Sequence, residues 1–327
     1  MKKVAAAILA ILVSACASQL YPKGPETMQP AIQAEDWLAA DGARLPLRSW
    51  LPQGTPKAVI VAVHGMNDYA NAFAAPGAAL AAKGIATYAY DQRGFGRGPH
   101  PGFWSDTVTM ASDLRAIAAL LHDRHPHVPL YILGESMGGA VAIVAAAGQP
   151  PAGVTGLILS APAVWGRSTM GFAQHAALWL ANHIAPGWNL TGHGLNLQPS
   201  DNLEMLRALS RDPLVIKETR VDAINGLVNL MDDAQGATSR IGLPVLVLVG
   251  AKDEIIPAAP TWAAIRRLPY LGASQRAALY PNGWHMLLRD LQAQVVVDDI
   301  AAWIEDPAAA LPSGADRQAR KKLDESP

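Results

Sequence analysis

A serine between two glycines is the residue of this chain best placed to do covalent chemistry. Ser136 is the middle residue of 134–138, with the sequence GESMG. This is the Gly-x-Ser-x-Gly pattern of a nucleophile held on a sharp turn between a strand and a helix. Glycines suit such a turn because a Cβ at either flanking position would collide with neighbouring backbone. A serine exposed in this way can attack an acyl carbonyl once a base removes its proton.

The elements around Ser136 alternate between apolar, strand-like runs and alanine-rich, helical runs. Short runs that are apolar throughout are typical of parallel strands covered on both faces. We therefore predict the α/β class, with a mostly parallel central sheet and helices on both faces. The predicted strands are 58–63, 85–90, 129–133, 154–160, 244–249 and 277–280, and the predicted helices are 70–83, 105–124, 137–147, 260–268 and 287–305.

The alternation stops between two of the predicted strands, which divides the chain into segments. The interruption contains helical segments and turn residues but no convincing strand, and we interpret it as a helical cap inserted into one core. Before the first long strand, Asp41-Gly42 supplies a turn and predicts a hairpin. The predicted segments are core residues 35–161 and 241–305, a helical cap at 162–240, a tether at 16–34 and a loose tail at 306–327.

Several motifs occur in an order that resembles one enzyme family. From about residue 35 to residue 305, the chain resembles the monoacylglycerol lipase and lysophospholipase branch of the α/β-hydrolases, close to the serine aminopeptidase-like group. The resemblance implies the α/β-hydrolase fold with a cap over the active site. The matching residues are Asp41-Gly42 with Trp50 and Pro52, His64-Gly65, 91–96 (DQRGFG), 134–139 (GESMGG), 250–257 with Asp253, and the segment around His285.

The family order of serine, acid and histidine places the other two triad members late in the chain. His285 is the sole histidine beyond position 193 and follows a turn after a predicted strand. It is predicted to be the base that takes the proton of the serine. Asp253 follows an apolar strand, at the sheet edge where the serine turn also opens, and is predicted to orient the imidazole. The rival acids are Glu254, next in the chain, and the weaker Asp232 and Asp233 in the cap.

The resemblance also implies an oxyanion hole made of two backbone amides. In the family, the residue after the His-Gly pair donates one N–H, and that residue here is Met66. The residue after the nucleophile, Met137, donates the other. His64 could be mistaken for the base, but its place at the end of an early strand favours a hydrogen-bonding role that braces the loop.

The cap is rich in large apolar residues, which favours an acyl substrate. Such a cap supplies a dry slot for an alkyl chain and excludes water from acyl transfer. Together with the predicted triad, the family resemblance implies a serine carboxylic-ester hydrolase acting on acyl esters such as monoacylglycerols or lysophospholipids through an acyl-enzyme. A serine aminopeptidase of the proline-releasing type and a non-catalytic envelope lipoprotein with this fold stay open as alternatives. The acidic residues that could bind a substrate amine are Asp201, Glu204, Asp222, Asp232 and Asp233.

The start of the chain predicts export and lipid attachment. Two lysines precede the apolar run 4–13, which is too short to cross a bilayer. Residues 13–16, VSAC, resemble a bacterial lipoprotein cleavage box, which implies a signal peptide at 1–15 and acylation of Cys16. Acyl chains would then hold the protein at a membrane of the bacterial cell envelope. Ala17 favours the outer membrane if the cell is Gram-negative, and an ordinary secretory signal is the alternative.

Composition narrows the classes of partner. The formal net charge of -1 and the lack of a basic stripe give no support for a nucleic-acid partner. The single cysteine rules out an internal disulfide. We predict no cofactor, because the glycine-rich 91–96 lacks dinucleotide spacing and is interpreted as a tight loop held by Asp91 and Arg93. We predict no metal either, since the histidines near a predicted helix end favour a solvated turn; they are His122, His125 and His127.

Overall fold

The computed structural model describes residues 17–192, 194 and 196–325. The predicted signal peptide and the predicted acylation site, Cys16, lie outside the described residues. Within the described residues, no helix is both long enough and apolar enough to cross a membrane.

Nine strands of the described chain form one sheet, and two others form a separate pair. The strands are β1 (Ala31–Ile32), β2 (Asp36–Leu38), β3 (Arg44–Trp50), β4 (Ala58–Val63), β5 (Ile85–Tyr90), β6 (Leu130–Glu135), β7 (Val154–Ser160), β8 (Asn189–Thr191), β9 (Glu218–Arg220), β10 (Val245–Gly250) and β11 (Gln275–Tyr280). The large sheet has the order β1-β2-β3-β5-β4-β6-β7-β10-β11. In this sheet the pairings β1-β2, β2-β3 and β3-β5 are antiparallel, and the pairings β5-β4, β4-β6, β6-β7, β7-β10 and β10-β11 are parallel.

Helices cover both faces of the sheet. They are α1 (Ala74–Ala82), α2 (Thr107–Arg124), α3 (Met137–Ala146), α4 (Phe172–Ile184), α5 (Leu203–Arg211), α6 (Val221–Ala237), α7 (Ala258–Arg266), α8 (Ala293–Glu305) and α9 (Ala315–Asp324). Alternate residues of each strand point to opposite faces. Val61 of β4 packs into the cluster with α2, α3 and α6, and its neighbour Ile60 packs into the cluster with α1 and α8. The predicted fold class is confirmed.

The predicted hairpin is present at the antiparallel edge of the sheet. Strands β2 and β3 pair antiparallel, and Gly42 lies in the turn with a φ of 82°. A positive φ costs glycine little because it has no Cβ. The Asp41 carboxylate accepts the Ala43 amide across this turn and also accepts two hydrogen bonds from Arg93. The turn is therefore tied to the loop that follows β5.

The prediction of a tether at 16–34 is wrong for the residues that the structure describes. The backbone of Leu20 forms a parallel bridge with Trp104, and the ring of Tyr21 stacks on His100 at 4.0 Å. The Lys23 ammonium donates to the Ser112 hydroxyl at 3.1 Å. These partners lie about 80 residues further along the chain, so composition alone gives no sign of them.

The prediction of a loose tail at 306–327 is also wrong over most of its length. Helix α9 occupies 315–324 and lies against the edge strand β11. Leu311, Ala315 and Ala319 are buried, and the Asp299 carboxylate accepts the Ser313 amide at 3.0 Å. The contact uses small alanine side chains, which leave only a weak apolar pattern in the sequence.

The segment predicted as a helical cap, 162–240, divides into an outer and an inner part. The outer part contains α4, α5 and a two-stranded antiparallel sheet of β8 and β9, so the expectation of no strand is wrong. The inner part, α6, belongs to the core because Val228, Leu230 and Ala234 are buried in the main cluster. Helix α4 packs on α6, which therefore supports the exposed part of the cap.

Candidate active site

Ser136 occupies a strained turn between β6 and α3. Its backbone has φ 53° and ψ -116°, and residues other than glycine rarely adopt such a positive φ. A Cβ on Gly138 would overlap the carbonyl oxygen of Val63, and a Cβ on Gly134 would overlap the backbone of Gly138. The Ser136 amide donates to the Ser160 carbonyl at 2.9 Å, which holds the turn on the sheet. The two glycines therefore allow the approach that the sequence motif predicts.

His285 and Asp253 form a hydrogen-bonded pair at the same edge of the sheet. His285 Nδ1 lies 2.9 Å from Asp253 Oδ2, and both side chains are buried. The other carboxylate oxygen, Oδ1, accepts the amides of Ile255 at 2.8 Å and Ile256 at 3.0 Å. These two amides fix the carboxylate, so that Oδ2 is directed at the imidazole and leaves Nε2 as the free ring nitrogen.

Two loops at the ends of neighbouring strands hold this pair together. Asp253 follows β10, and His285 follows β11. The Lys252 amide donates to the Gly283 carbonyl at 2.9 Å. A Cβ on Gly250 would overlap the carbonyl oxygens of Gly283 and Trp284, so glycine allows the two loops to touch. The register of two parallel strands therefore sets the position of the acid relative to the histidine.

Two of the rival acids, Glu254 and Asp232, have other partners. Glu254 accepts the Gln198 amide at 2.7 Å and so holds the cap segment that precedes α5. Asp232 on α6 pairs with the guanidinium of Arg167. Asp253 is the one of these carboxylates that bonds to His285 in the part of the chain that the structure describes.

A cavity of about 170 Å³ brings Ser136 and His285 together. Met66, Ile255 and Met286 supply apolar lining, and Pro199 of the cap contributes to the wall. The remaining lining residues are Gly65, Asp68, Glu135 and Arg289. The cavity is thus a small, half-open space with the serine and the histidine on its surface, which suits a reacting acyl group.

The two predicted oxyanion donors lie beside the serine. A Cβ on Gly65 would lie 3.4 Å from Ser136 Cβ, so this loop runs directly past the nucleophile. Residues 65–68 form a turn closed by the Asp68 amide on the Gly65 carbonyl at 3.4 Å, with Asn67 at a φ of 64°. The hydrogen bond that closes this turn is donated by Asp68, so it does not use the amide of Met66. The amide of Met137 lies in the first turn of α3. The first amides of a helix have no acceptor within the helix, and the amino-terminal end of a helix favours negative charge.

His64 braces the loop, as the sequence interpretation expects. Its Nε2 accepts the Gln92 amide at 3.0 Å, and its Nδ1 donates to the Gly65 carbonyl at 2.8 Å. Burial lowers the pKa of His64 below its ordinary value. The imidazole is therefore neutral with both nitrogens engaged, and it has none left to act as a base on Ser136.

The glycine-rich loop after β5 is held as predicted by Asp91 and Arg93. The Asp91 carboxylate accepts the amides of Ala70 at 2.9 Å and Arg97 at 2.8 Å. Arg93 joins the carboxylates of Asp41 and Asp113. Of the three histidines near the end of α2, His125 forms a hydrogen bond through its Nε2 with the hydroxyl of Tyr88 at 2.8 Å. No group of three His, Cys, Asp or Glu residues suited to a metal ion exists among the described residues.

A buried charge cluster beside Ser136 escaped sequence reasoning. Arg289 pairs with Glu135 at 3.0 Å and with Asp68 at 2.7 Å. Glu135 is the variable residue before the nucleophile, and its Oε1 is buried without a partner. Desolvation raises the pKa of Glu135 above its ordinary value. The sequence did contain one signal for this cluster, because Glu135 is a charged residue inside the serine motif. A charged side chain needs a partner of opposite charge when it is buried.

The chain is similar to known proteins over most of its length. The sequence profile described as serine aminopeptidase, S33, matches residues 54–292. A monoacylglycerol lipase of Mycolicibacterium smegmatis is 27% identical over 277 residues, covering 80% of this chain and 93% of that protein. A monoglyceride lipase of Rattus norvegicus is 27% identical over 271 residues, covering 81% and 88%.

The fold is shared with solved structures. A soluble variant of the monoglyceride lipase of Saccharomyces cerevisiae, in complex with a substrate analog, aligns with a TM-score of 0.70 at 21% identity. The alignment covers 88% of this chain and 98% of that one. This likeness concerns the fold, an α/β-hydrolase sheet with its helices and cap. Since the profile covers most of the chain, the protein belongs to the serine aminopeptidase S33 family of α/β-hydrolases.

Proposed function

We propose that this chain, a carboxylic-ester hydrolase, cleaves monoacylglycerols or closely related acyl esters with Ser136, His285 and Asp253 as its triad. The observation that carries the proposal is the 2.9 Å contact between His285 Nδ1 and Asp253 Oδ2, made at a cavity that Ser136 also lines. A nucleophile, a base and an orienting acid on one cavity are the parts that acyl transfer requires.

Each triad member has one task. Ser136 Oγ attacks the ester carbonyl and gives its proton to Nε2 of His285, the nitrogen not engaged by Asp253. The carboxylate stabilises the imidazolium that forms, and the imidazolium then protonates the departing alcohol. A water activated by the same imidazole hydrolyses the acyl-enzyme and releases the fatty acid.

The amides of Met66 and Met137 form the oxyanion hole. Both lie beside Ser136, one in the turn after β4 and one at the start of α3. Fixed donors of this kind stabilise the charge that develops on the carbonyl oxygen and need no reorganisation during the reaction. The bracing of the Gly65 carbonyl by His64 supports this role, because it holds the turn in one conformation.

The lining of the cavity favours an ester with an acyl chain over an aminopeptidase substrate. An aminopeptidase needs a free carboxylate to bind the substrate amine. The two carboxylates at the cavity, Asp68 and Glu135, are both paired with Arg289. Of the acidic cap residues that could have served, Asp222 pairs with Arg220. The five cap acids named above do not line the cavity, and the similar proteins named above are lipases by description.

A lipid anchor is the second part of the proposal. Cleavage before Cys16 and acylation of that residue would hold the enzyme at a membrane of the bacterial cell envelope, with the outer membrane favoured if the cell is Gram-negative. The support is the lysine-rich start, the short apolar run and the VSAC box. Mass spectrometry of the mature amino-terminal peptide tests it, and an unmodified Cys16 would contradict it.

Replacement of the nucleophile tests the triad. Ser136→Ala is expected to lower kcat for a monoacylglycerol by about three orders of magnitude or more. Alanine tolerates the turn no worse than serine, so folding is retained. Ser210→Ala, on the exposed surface of the cap, is the matched control and keeps full activity.

Two further results would contradict the proposal. Faster turnover of an aminoacyl-anilide than of a monoacylglycerol by the wild type would favour the aminopeptidase alternative. A fluorophosphonate probe that leaves Ser136 unlabelled in the folded protein would favour the non-catalytic lipoprotein.

A further inference from the structure

A short piece of the cap lies against the loop that carries the triad acid. Residues 198–200, which we call the return segment, precede α5 in the cap. Pro199 lines the catalytic cavity, and Ser200 is fully buried. The Gln198 amide donates to the carboxylate of Glu254 at 2.7 Å, and that residue directly follows the triad acid. The return segment therefore contacts the acid loop as well as the cavity.

Hydrogen bonds hold the backbone on both sides of His285. The amide of Trp284, the residue before the histidine, donates to Oδ2 of Asp290 at 2.8 Å. The amide of Met286, the residue after it, donates to the carbonyl of Pro199 at 2.9 Å. The first acceptor lies a few residues further along the same loop, and the second belongs to the return segment. The position of the histidine backbone therefore depends on a residue of the cap.

A serine hydroxyl joins the two acceptors. Ser200 follows Pro199, and its Oγ donates to Oδ1 of Asp290 at 2.6 Å. The same hydroxyl accepts the Asn202 amide at 3.1 Å, which fixes its orientation. Both bonded side chains are buried, so breaking the bond leaves a carboxylate oxygen without its partner. Hydrogen bonds and chain connections thus close a ring around His285, which we call the histidine latch; it consists of Trp284, Met286, Pro199, Ser200 and Asp290.

We propose that Ser200 and Asp290 are positioning residues for His285, so that the cap helps to set the geometry of the triad. The proposal rests on the proposed function, because it assigns a task within the same reaction. Asp253 orients the imidazole through Nδ1, whereas the histidine latch fixes the backbone from which the side chain extends. Proton transfer from Ser136 to Nε2 needs both, since a displacement of about 1 Å can lower a rate by about 100-fold.

The return segment also forms part of the cavity wall, and kinetics separate the two roles. A displaced wall alters the contacts that the enzyme makes with the bound ester, and it therefore changes KM. A displaced imidazole lowers kcat and leaves KM nearly unchanged, because the base acts only on the way to the transition state. The proposal therefore predicts an effect on kcat, measured with an ester small enough to make few contacts with the wall.

Removal of one hydroxyl opens the histidine latch with the smallest change. Ser200→Ala is expected to lower kcat for p-nitrophenyl butyrate, a short water-soluble ester, by about tenfold or more and to change KM by less than about twofold. Ser168→Ala is the matched control. It removes a hydroxyl hydrogen bond of 2.7 Å between the cap and Gln235 on α6. It leaves kcat unchanged, because this bond is not part of the histidine latch.

Two variants of Asp290 separate its hydrogen bonds from its charge. Asp290→Ala removes both acceptors and is expected to lower kcat by about 100-fold. Asp290→Asn keeps a carbonyl oxygen for the Trp284 amide and presents an N–H group to Ser200 Oγ, since a hydroxyl accepts as well as donates. Its kcat is expected to stay within about threefold of the wild type. Thermal unfolding shows whether each variant is folded; if Asp290→Ala is not, Ser200→Ala and Asp290→Asn still decide.

Proton NMR observes the histidine without any substrate. The proton on Nδ1 of His285, which is bonded to Asp253, resonates at low field, apart from the backbone amides. A sharp signal is expected in the wild type, in Ser168→Ala and in Asp290→Asn. In Ser200→Ala the signal is expected to broaden, because the imidazole is no longer held in one position.

Three outcomes would overturn the proposal. The first is a changed KM with an unchanged kcat in Ser200→Ala, which would make the return segment a cavity wall only. The second is an equal loss of kcat in Ser200→Ala and Ser168→Ala, and the third is an equal loss in Asp290→Asn and Asp290→Ala, which would assign the effect to charge. If the wild type hydrolyses no ester, the proposed function fails, while the NMR signal still decides whether the histidine latch positions His285.

Discussion

The loops around Ser136 and helix α4 of the cap place their side chains in opposite environments. Near the serine, polar and charged groups are buried and paired: Asp253 accepts two amides and faces His285, and Arg289 joins two carboxylates. On α4, large apolar side chains lie exposed, and no residue of the helix is fully buried. Buried polar groups fix one geometry because each loses energy when its partner is removed, whereas the exposed face leaves its contacts to be made with another surface.

Catalysis makes its demands on the buried region beside the serine. Acyl transfer needs donors and acceptors held in place before the substrate arrives. Changes to the buried polar pairs should therefore act on stability and chemistry together, while changes to the exposed side chains of α4 should act on neither in solution.

The largest expected effect is the loss of the arginine at the site. Arg289→Met leaves the carboxylates of Glu135 and Asp68 buried without a cation, and it is expected to lower the free energy of unfolding by about 3–5 kcal/mol at pH 8. Urea denaturation measures the change. Lys321→Met is the control, because it removes an exposed pair with Glu325 and is expected to cost less than about 1 kcal/mol. Equal effects of the two variants would show that the buried cluster carries no special cost.

A pair of leucine replacements compares the two regions with identical chemistry. Leu133 on β6 is fully buried, and Leu180 on α4 is 51% exposed. Leu133→Ala is expected to lower the free energy of unfolding by about 2–5 kcal/mol, because it removes packed atoms and leaves a cavity. Leu180→Ala is expected to change it by less than about 0.5 kcal/mol. Thermal unfolding tests both, and a large loss of stability for Leu180→Ala would mean that the exposed side of α4 is packed in solution.

The smallest expected effect is a pH dependence from Glu135. Burial raises the pKa of this carboxyl above its ordinary value of 4.5. Between pH 4.5 and the raised pKa, the folded state keeps a proton that the unfolded state has released, so stability from this group falls as pH rises. Glu135→Gln removes the titration. Its stability relative to the wild type should therefore increase with pH through this window, by at most about 1.4 kcal/mol per pH unit.

Denaturation curves at several pH values measure this difference. Glu204→Gln, on the exposed surface of α5, is the control and should follow the wild type at every pH. A constant offset between Glu135→Gln and the wild type would mean that Glu135 is already ionised throughout the window.

The sequence alone predicted the fold class and most of the central elements. Strand β4, strand β5 and strand β7 have the predicted bounds, because a strand buried on both faces is a short, largely apolar run that ends at turn residues. The turn at Ser136 was predictable because its two glycines form a recognisable motif. The structure gives the physical reason, since a Cβ on Gly138 would overlap the carbonyl oxygen of Val63 on β4. Asp253 and His285 depended on family order as well as on their places after strands.

Only the tertiary structure decided the contacts between distant segments. The docking of residues 17–34, the packing of α9 and the pairing of Arg289 with Glu135 each join residues far apart in the chain. Their local sequences are polar or rich in alanine, and such segments fold according to the partner they meet and not by their own periodicity. The sequence therefore determined which residues could react and which strands carry them, and the packed chain determined that the amino-terminal segment lies on the cap.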